Sequence, residues 1–184
     1  MNIFVVEWGL IESAKSLFDT HVVKMPTEAM QLLSVAARFY FPEEVCAELP
    51  LHKVTHPHHS CQKWLQESPS NFNWLLLYTR AMCAEYTWRY GKIHAIYHLA
   101  SRLPWLQGGY EMTPFALAMP EHFREEDPVR SYRNLYRYDK LPNLPRAAYT
   151  RRTPPDWLQH PEHGRWAASY QHHWFGGRNR REAS

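Results

Sequence analysis

No apolar run in this chain approaches the roughly 18 residues that a membrane-spanning helix needs. The opening MNIFVVEWGL is too short for a signal peptide and carries Glu7. Cysteine is scarce: Cys46, Cys61 and Cys83 fit a reducing compartment better than a disulfide scaffold. These absences lead to the expectation of a soluble cytoplasmic protein without membrane contact. The phosphate-binding loop, the dinucleotide fingerprint and the G-x-S-x-G elbow are also missing, and no internal repeat stands out. No cofactor is therefore expected, and the oligomeric state is left open.

What is present is rich in rings. Eight Trp, eleven Tyr and twelve His occur among 184 residues, a length that sustains one domain with a real core. Aromatic rings either fill such a core or form stacking surfaces. Charge is unevenly spread. Residues 1–139 carry 13 Lys and Arg against 15 Asp and Glu; residues 140–184 carry 8 against 3. A basic tail suits an anionic partner such as DNA or a nucleotide, or simply serves solubility.

The pattern predicts a mostly α protein: a single compact helical domain with a short N-terminal strand or extended segment, NIFVV. Residues 1–140 form that domain and 141–184 a Pro-rich basic extension. A short terminal helix is expected near GRWAASYQHHW, with disorder at GGRNRREAS. From Ile11 to Tyr40 the period is helical, with Pro26 either in a first turn or kinking a running helix. A long helix is expected from Pro69 to about Arg102, capped by Ser68 or Ser70 and bent at Gly91. Another begins at Asp127 with Pro128 in its first turn.

Four stretches carry candidate chemistry. In DTHVVKMPTEAM, His21, Lys24 and Glu28 share a face if the helix is continuous. An amine beside a carboxylate forms Schiff bases and steadies cationic transition states; the plain alternative is a surface Lys–Glu pair. In HKVTHPHHSC, His52, His56, His58, His59 and Cys61 cluster, but their spacing matches no strong zinc pattern. No metal is expected, and His56 and His58 become candidate phosphate contacts. In EYTWRYGKIH, Arg89, Lys92 and His94 alternate with Trp88 and Tyr90, as in sites that pair phosphates and stack bases. In DPVRSYRNLYRYDK, Arg130, Arg133 and Arg137 make a basic stripe that suits a nucleic-acid backbone or a solvated face.

Together these motifs resemble small phage and bacterial proteins over most of residues 1–140. More distantly, the chain is similar to the phage-type pyrimidine-dimer DNA glycosylases. The shared order is a short N-terminal extended run, an Asp-x-His element at Asp19 and His21, and a Glu seven residues later at Glu28. His56-Pro57, the turn Arg89-Tyr90-Gly91 and the Tyr132–Tyr138 segment follow. The resemblance implies a helical protein of the host cytoplasm. It would act on the N-glycosidic bond of a damaged or modified base in DNA, with no cofactor. In that family the α-amine of the mature chain attacks the sugar C1′ and the Glu stabilises the sugar cation. Glu28 matches that carboxylate; His21 and Arg89 would be support or phosphate contacts. The family's mature chain starts with Thr, whereas Asn2 follows Met1 here, so Lys24 is a candidate substitute amine. Trp88 and Tyr90 would hold the extruded base, and Arg89, Lys92, Arg130 and Arg133 the phosphates. Three other readings stay open: a non-catalytic nucleic-acid-binding module, an enzyme acting on a free nucleotide in phage base hypermodification, and a zinc protein built on His56, His58, His59 and Cys61.

Overall fold

The computed structural model describes residues 1–109, 111–144 and 147–159. The expected terminal helix and the GGRNRREAS end lie outside these residues. Among the described residues there is no strand, and the protein is all-α. The chain runs through α1 (Leu10–Lys15), α2 (Asp19–Tyr40), α3 (Glu43–Glu48), α4 (Ser60–Glu67), α5 (Pro69–Tyr90) and α6 (Ala95–Arg102). After a long irregular stretch come α7 (Pro128–Leu135), a π-helical turn (Tyr136–Lys140), α8 (Leu141–Asn143) and the short α9 (Asp156–Gln159).

The two 22-residue helices α2 and α5 pack along each other and carry the centre of the core. The amino-terminal run is extended rather than a strand. It threads between helices, with Ile3, Phe4, Val5 and Val6 all buried. A buried backbone still needs hydrogen-bond partners. Here side chains supply them in place of a neighbouring strand. Ser13 Oγ accepts from Val6 N–H and donates to the Phe4 carbonyl, which also accepts from the Tyr78 hydroxyl.

Pro26 sits inside α2, not in its first turn, and the helix runs on through it. A mid-helix proline leaves the carbonyl four residues before it without its usual donor. Next to that carbonyl, His94 Nε2 donates to the Val23 carbonyl at 3.0 Å. The same ring caps α6, its Nδ1 accepting from Ile96 N–H.

The predicted helix from Pro69 to Arg102 is two helices. Ser68 caps α5 through Ser70 N–H, and Pro69 occupies the first turn. Gly91 ends α5 in the left-handed region, with φ 66°, where a side chain would be strained. It stops the helix rather than bending it. Ile11–Tyr40 likewise divides, because residues 16–18 turn the chain between α1 and α2. At α7 the reading from sequence holds: Asp127 caps it through Val129 N–H, with Pro128 next.

The carboxy-terminal half does not trail away. Trp157 and Leu158 are buried in the same core as Phe4 and Leu33. Tyr149 donates to the Ser16 carbonyl, and the Trp157 indole N–H donates to Glu7. The described part of residues 141–159 therefore straps the front half of the chain.

Candidate active site at the amino terminus

A pocket of about 450 Å³ opens where the first residues meet α2. One wall is α2 itself, presenting His21, Lys24, Met25 and Glu28. Pro26, within α2, does not separate these side chains. Met1, Asn2 and Phe4 form the floor, and Lys140, Asn143 and Leu144 the opposite wall.

Glu28 is the focus. One carboxylate oxygen lies 2.9 Å from Lys24 Nζ; the other lies 3.8 Å from the Met1 amine. The two amines differ in setting. Lys24 is 65% exposed, whereas the Met1 side chain is 6% exposed and its residue is held from both sides. Asn2 anchors the terminus. Its amide donates to the Ala118 carbonyl, and its Oδ1 accepts from Ile3 N–H and the Tyr132 hydroxyl. His59 hydrogen-bonds the Met1 backbone, while its Nδ1 accepts from Cys61 N–H to cap α4. Burial, then the nearby terminal amine, keep the His59 ring below its ordinary pKa.

His21 is buried beside Glu28 and stacked on Phe4, with ring centroids 4.6 Å apart. Its Nδ1 lies 2.5 Å from the Tyr136 hydroxyl, which also accepts from Phe18 N–H. The phenol and the imidazole therefore fix each other's orientation. Burial above all, then Lys140 and Lys24, lower its pKa to about 3. At neutral pH the ring is uncharged.

The other predicted residues take different places. Arg89 was expected at a phosphate; instead it is among the largest fully buried side chains. Its guanidinium donates to Glu85, Asp19 and the Leu17 and Lys15 carbonyls, and the side chain is closed off from solvent. Asp19 also accepts from Thr150, and Glu85 from Arg152. Burial alone would raise both carboxyls. The hydrogen bonds from Thr150 and Arg89, and from Arg152 and Arg89, outweigh it and hold them below their ordinary values. Trp88 is 56% exposed but stands under the Arg152 guanidinium, and Tyr90 packs on Tyr86. Neither lines the Glu28 pocket, where Phe4 is the aromatic present apart from His21. His94 is committed to the Val23 carbonyl and its cap. Arg133 donates to the Val6 carbonyl and Glu7 and lies over Trp157. Lys92 and Arg130 are exposed, Arg130 paired with Glu125. His56 and His58 are exposed on the loop before α4, His56 with a left-handed φ of 49°.

Cys61 does not join the imidazoles. It is buried, and burial pushes its thiol up to about 11. Among the described residues, no three His, Cys, Asp or Glu side chains converge as a metal site.

Sequence reasoning missed Asn2, His59, Tyr136, Lys140 and Asn143. Only His59 left a local trace, because it stands where a helix cap belongs, just before SCQKWLQE.

The fold and the pocket define an all-α protein whose buried amino terminus meets a helix-borne glutamate. Its family can also be named: the chain belongs to the pyrimidine dimer DNA glycosylases, whose family model matches residues 1–98. That membership implies a DNA glycosylase-like function with DNA as the substrate polymer. Among curated proteins and among solved structures, none matches the chain. None of the helices among the described residues is long and apolar enough to cross a membrane.

Proposed function

We propose that this protein breaks the N-glycosidic bond of a damaged or modified pyrimidine nucleotide in DNA, using the Met1 amine and Glu28. The observation that carries this is the Met1 amine held 3.8 Å from the Glu28 carboxylate in a pocket open to solvent. The neutral amine nitrogen bonds to C1′ as the bond from C1′ to the base breaks, and the base leaves as an anion that takes a proton from solvent. Glu28 faces the positive charge that develops on the sugar and accepts the proton the amine sheds. Opening of the sugar ring then gives an imine between enzyme and DNA. His21, neutral and fixed by Tyr136, holds the Glu28 face of α2 without adding a competing charge.

Lys24 supports a second reading, because its Nζ is closer to Glu28, at 2.9 Å. Long, exposed side chains are poorly fixed, and the anchored terminus favours Met1. Borohydride trapping on a duplex with an abasic site separates the two. Peptide mapping of the adduct is expected to find the label on Met1. Lys24→Ala should keep the adduct, while Glu28→Gln should lose turnover by a factor of about 10² or more yet bind DNA nearly as well. Full turnover in Glu28→Gln would refute the carboxylate's role. A label on Lys24 would move the nucleophile there.

A further inference from the structure

The wall of the pocket facing α2 comes from residues well beyond the stretch the family model matches. It is built by an irregularity. After α7 the helix widens into a π turn, and Leu141 N–H donates to the carbonyl of Tyr136, five residues back. A π turn inserts one residue and redirects the side chains beyond it, and such turns recur at functional sites. Here Tyr136 and Arg137 are directed into the core, while Lys140 and Asn143 line the pocket.

The charges around that space do not balance. The lining residues supply three cations, the Met1 amine, Lys24 and Lys140, against the single carboxylate of Glu28. Asp139 pairs with Lys140 at 2.8 Å, but from a half-exposed position outside the lining. Lys24 and Lys140 reach the pocket from different elements, α2 and the π turn, and His21 lines the same space. His21 itself is neutral. A solvent-open pocket with surplus positive charge attracts an anion. An extruded base is a poor match. It asks for a free aromatic face, and Phe4 is buried and already stacked on His21.

We infer that Lys140, which shares the pocket with Lys24, clamps a DNA backbone phosphate next to the sugar that meets Glu28. Asn143, one helical turn on from Lys140, lines the same pocket but gives its amide to the Asp139 carbonyl at 2.7 Å, so the lysine carries the contact. This rests on the reaction proposed above only for the identity of the sugar. The residue is specific to this chain's back half and gives the pocket a polarity along the strand: amine and carboxylate at the sugar, lysines at the phosphate.

The test is binding of the full-length protein to a duplex containing a tetrahydrofuran abasic analogue, followed by anisotropy across a series of salt concentrations. Neutralising one phosphate contact lowers the slope of log K against log salt by about 0.9. Lys140→Ala is expected to show that loss and a several-fold weaker affinity at low salt, while Lys140→Arg retains the wild-type slope. An unchanged slope in Lys140→Ala, or an equal loss in Lys140→Arg, would overturn the clamp. So would absence of DNA binding by the wild type. If Lys140→Ala weakens only thymidine 5′-monophosphate, added as competitor, the phosphate belongs to a free nucleotide and the DNA assignment falls. Borohydride trapping reads the chemistry separately. A wild type that binds with the full slope but forms no adduct refutes the amine reaction and leaves the clamp standing.

Discussion

At the scale of single residues, His21 shows how a buried polar side chain ties stability to pH. In the unfolded chain an imidazole takes up a proton below about pH 6.5. In the folded protein His21 stays neutral down to about pH 3. Between those values the unfolded state binds one more proton, so stability falls as pH falls, by about 1.4 kcal/mol per pH unit from this group. His21→Gln is expected to remove about 2 kcal/mol of the difference between pH 7 and pH 5. Urea unfolding at the two pH values measures it, and an undiminished difference would place the titration elsewhere. Arg89 is the complementary case. Its charge is buried but paired, so Arg89→Met takes one donor each from Asp19, Glu85 and the Leu17 and Lys15 carbonyls. A loss of about 3–5 kcal/mol is expected. Lys92→Ala, three residues on and exposed, should change stability by less than about 0.5 kcal/mol.

At the scale of elements, the sequence spoke clearly where one helix carried the message. Glu28, His21 and Lys24 were legible because helical spacing set them on one face, and the structure brings them to one pocket. The caps of α5 and α7 were legible because Ser-Pro and Asp-Pro are local signals. Arg89, His94 and Arg133 misled for a common reason. A cation beside aromatics looks the same in sequence whether it awaits a phosphate or is spent on a neighbouring carbonyl. Only the tertiary arrangement shows that Arg89 reaches Lys15 and Leu17, more than seventy residues earlier. The far wall was hidden too, since a π turn has no simple pattern and Lys140 reads as the end of a tyrosine-rich helix. Removing one residue from that turn, for instance Tyr138, should convert it to regular α-helix and swing Lys140 away from the pocket. The expected outcome is a salt slope like that of Lys140→Ala, with the helix content by circular dichroism unchanged.

At the scale of the whole molecule, the division expected at residue 140 is not a seam in the described structure. Residues 149–158 bond to Ser16, Asp19, Glu85 and Glu7, all in the front half. A chain ended at residue 140 is therefore expected to lose cooperative unfolding, because it uncovers the Phe18 and Tyr136 rings and strips partners from the buried Glu85 and the half-buried Asp19. Calorimetry of the truncated and full chains decides this; a sharp transition with a similar midpoint in the shorter chain would show the strap to be dispensable.

The strap also bears on how the protein is made. Ribosomes deliver a chain from its amino end, and domains ordinarily fold as units once they have emerged. Here the partners that secure Asp19 and Glu85 lie 131 and 67 positions further along the chain than the carboxylates they hold. The site's floor is synthesised at the start, its second wall near residue 140, and its fastening later still. Until those later residues have been made, Glu28 lacks the wall at Lys140, and Asp19 and Glu85 lack their fastening.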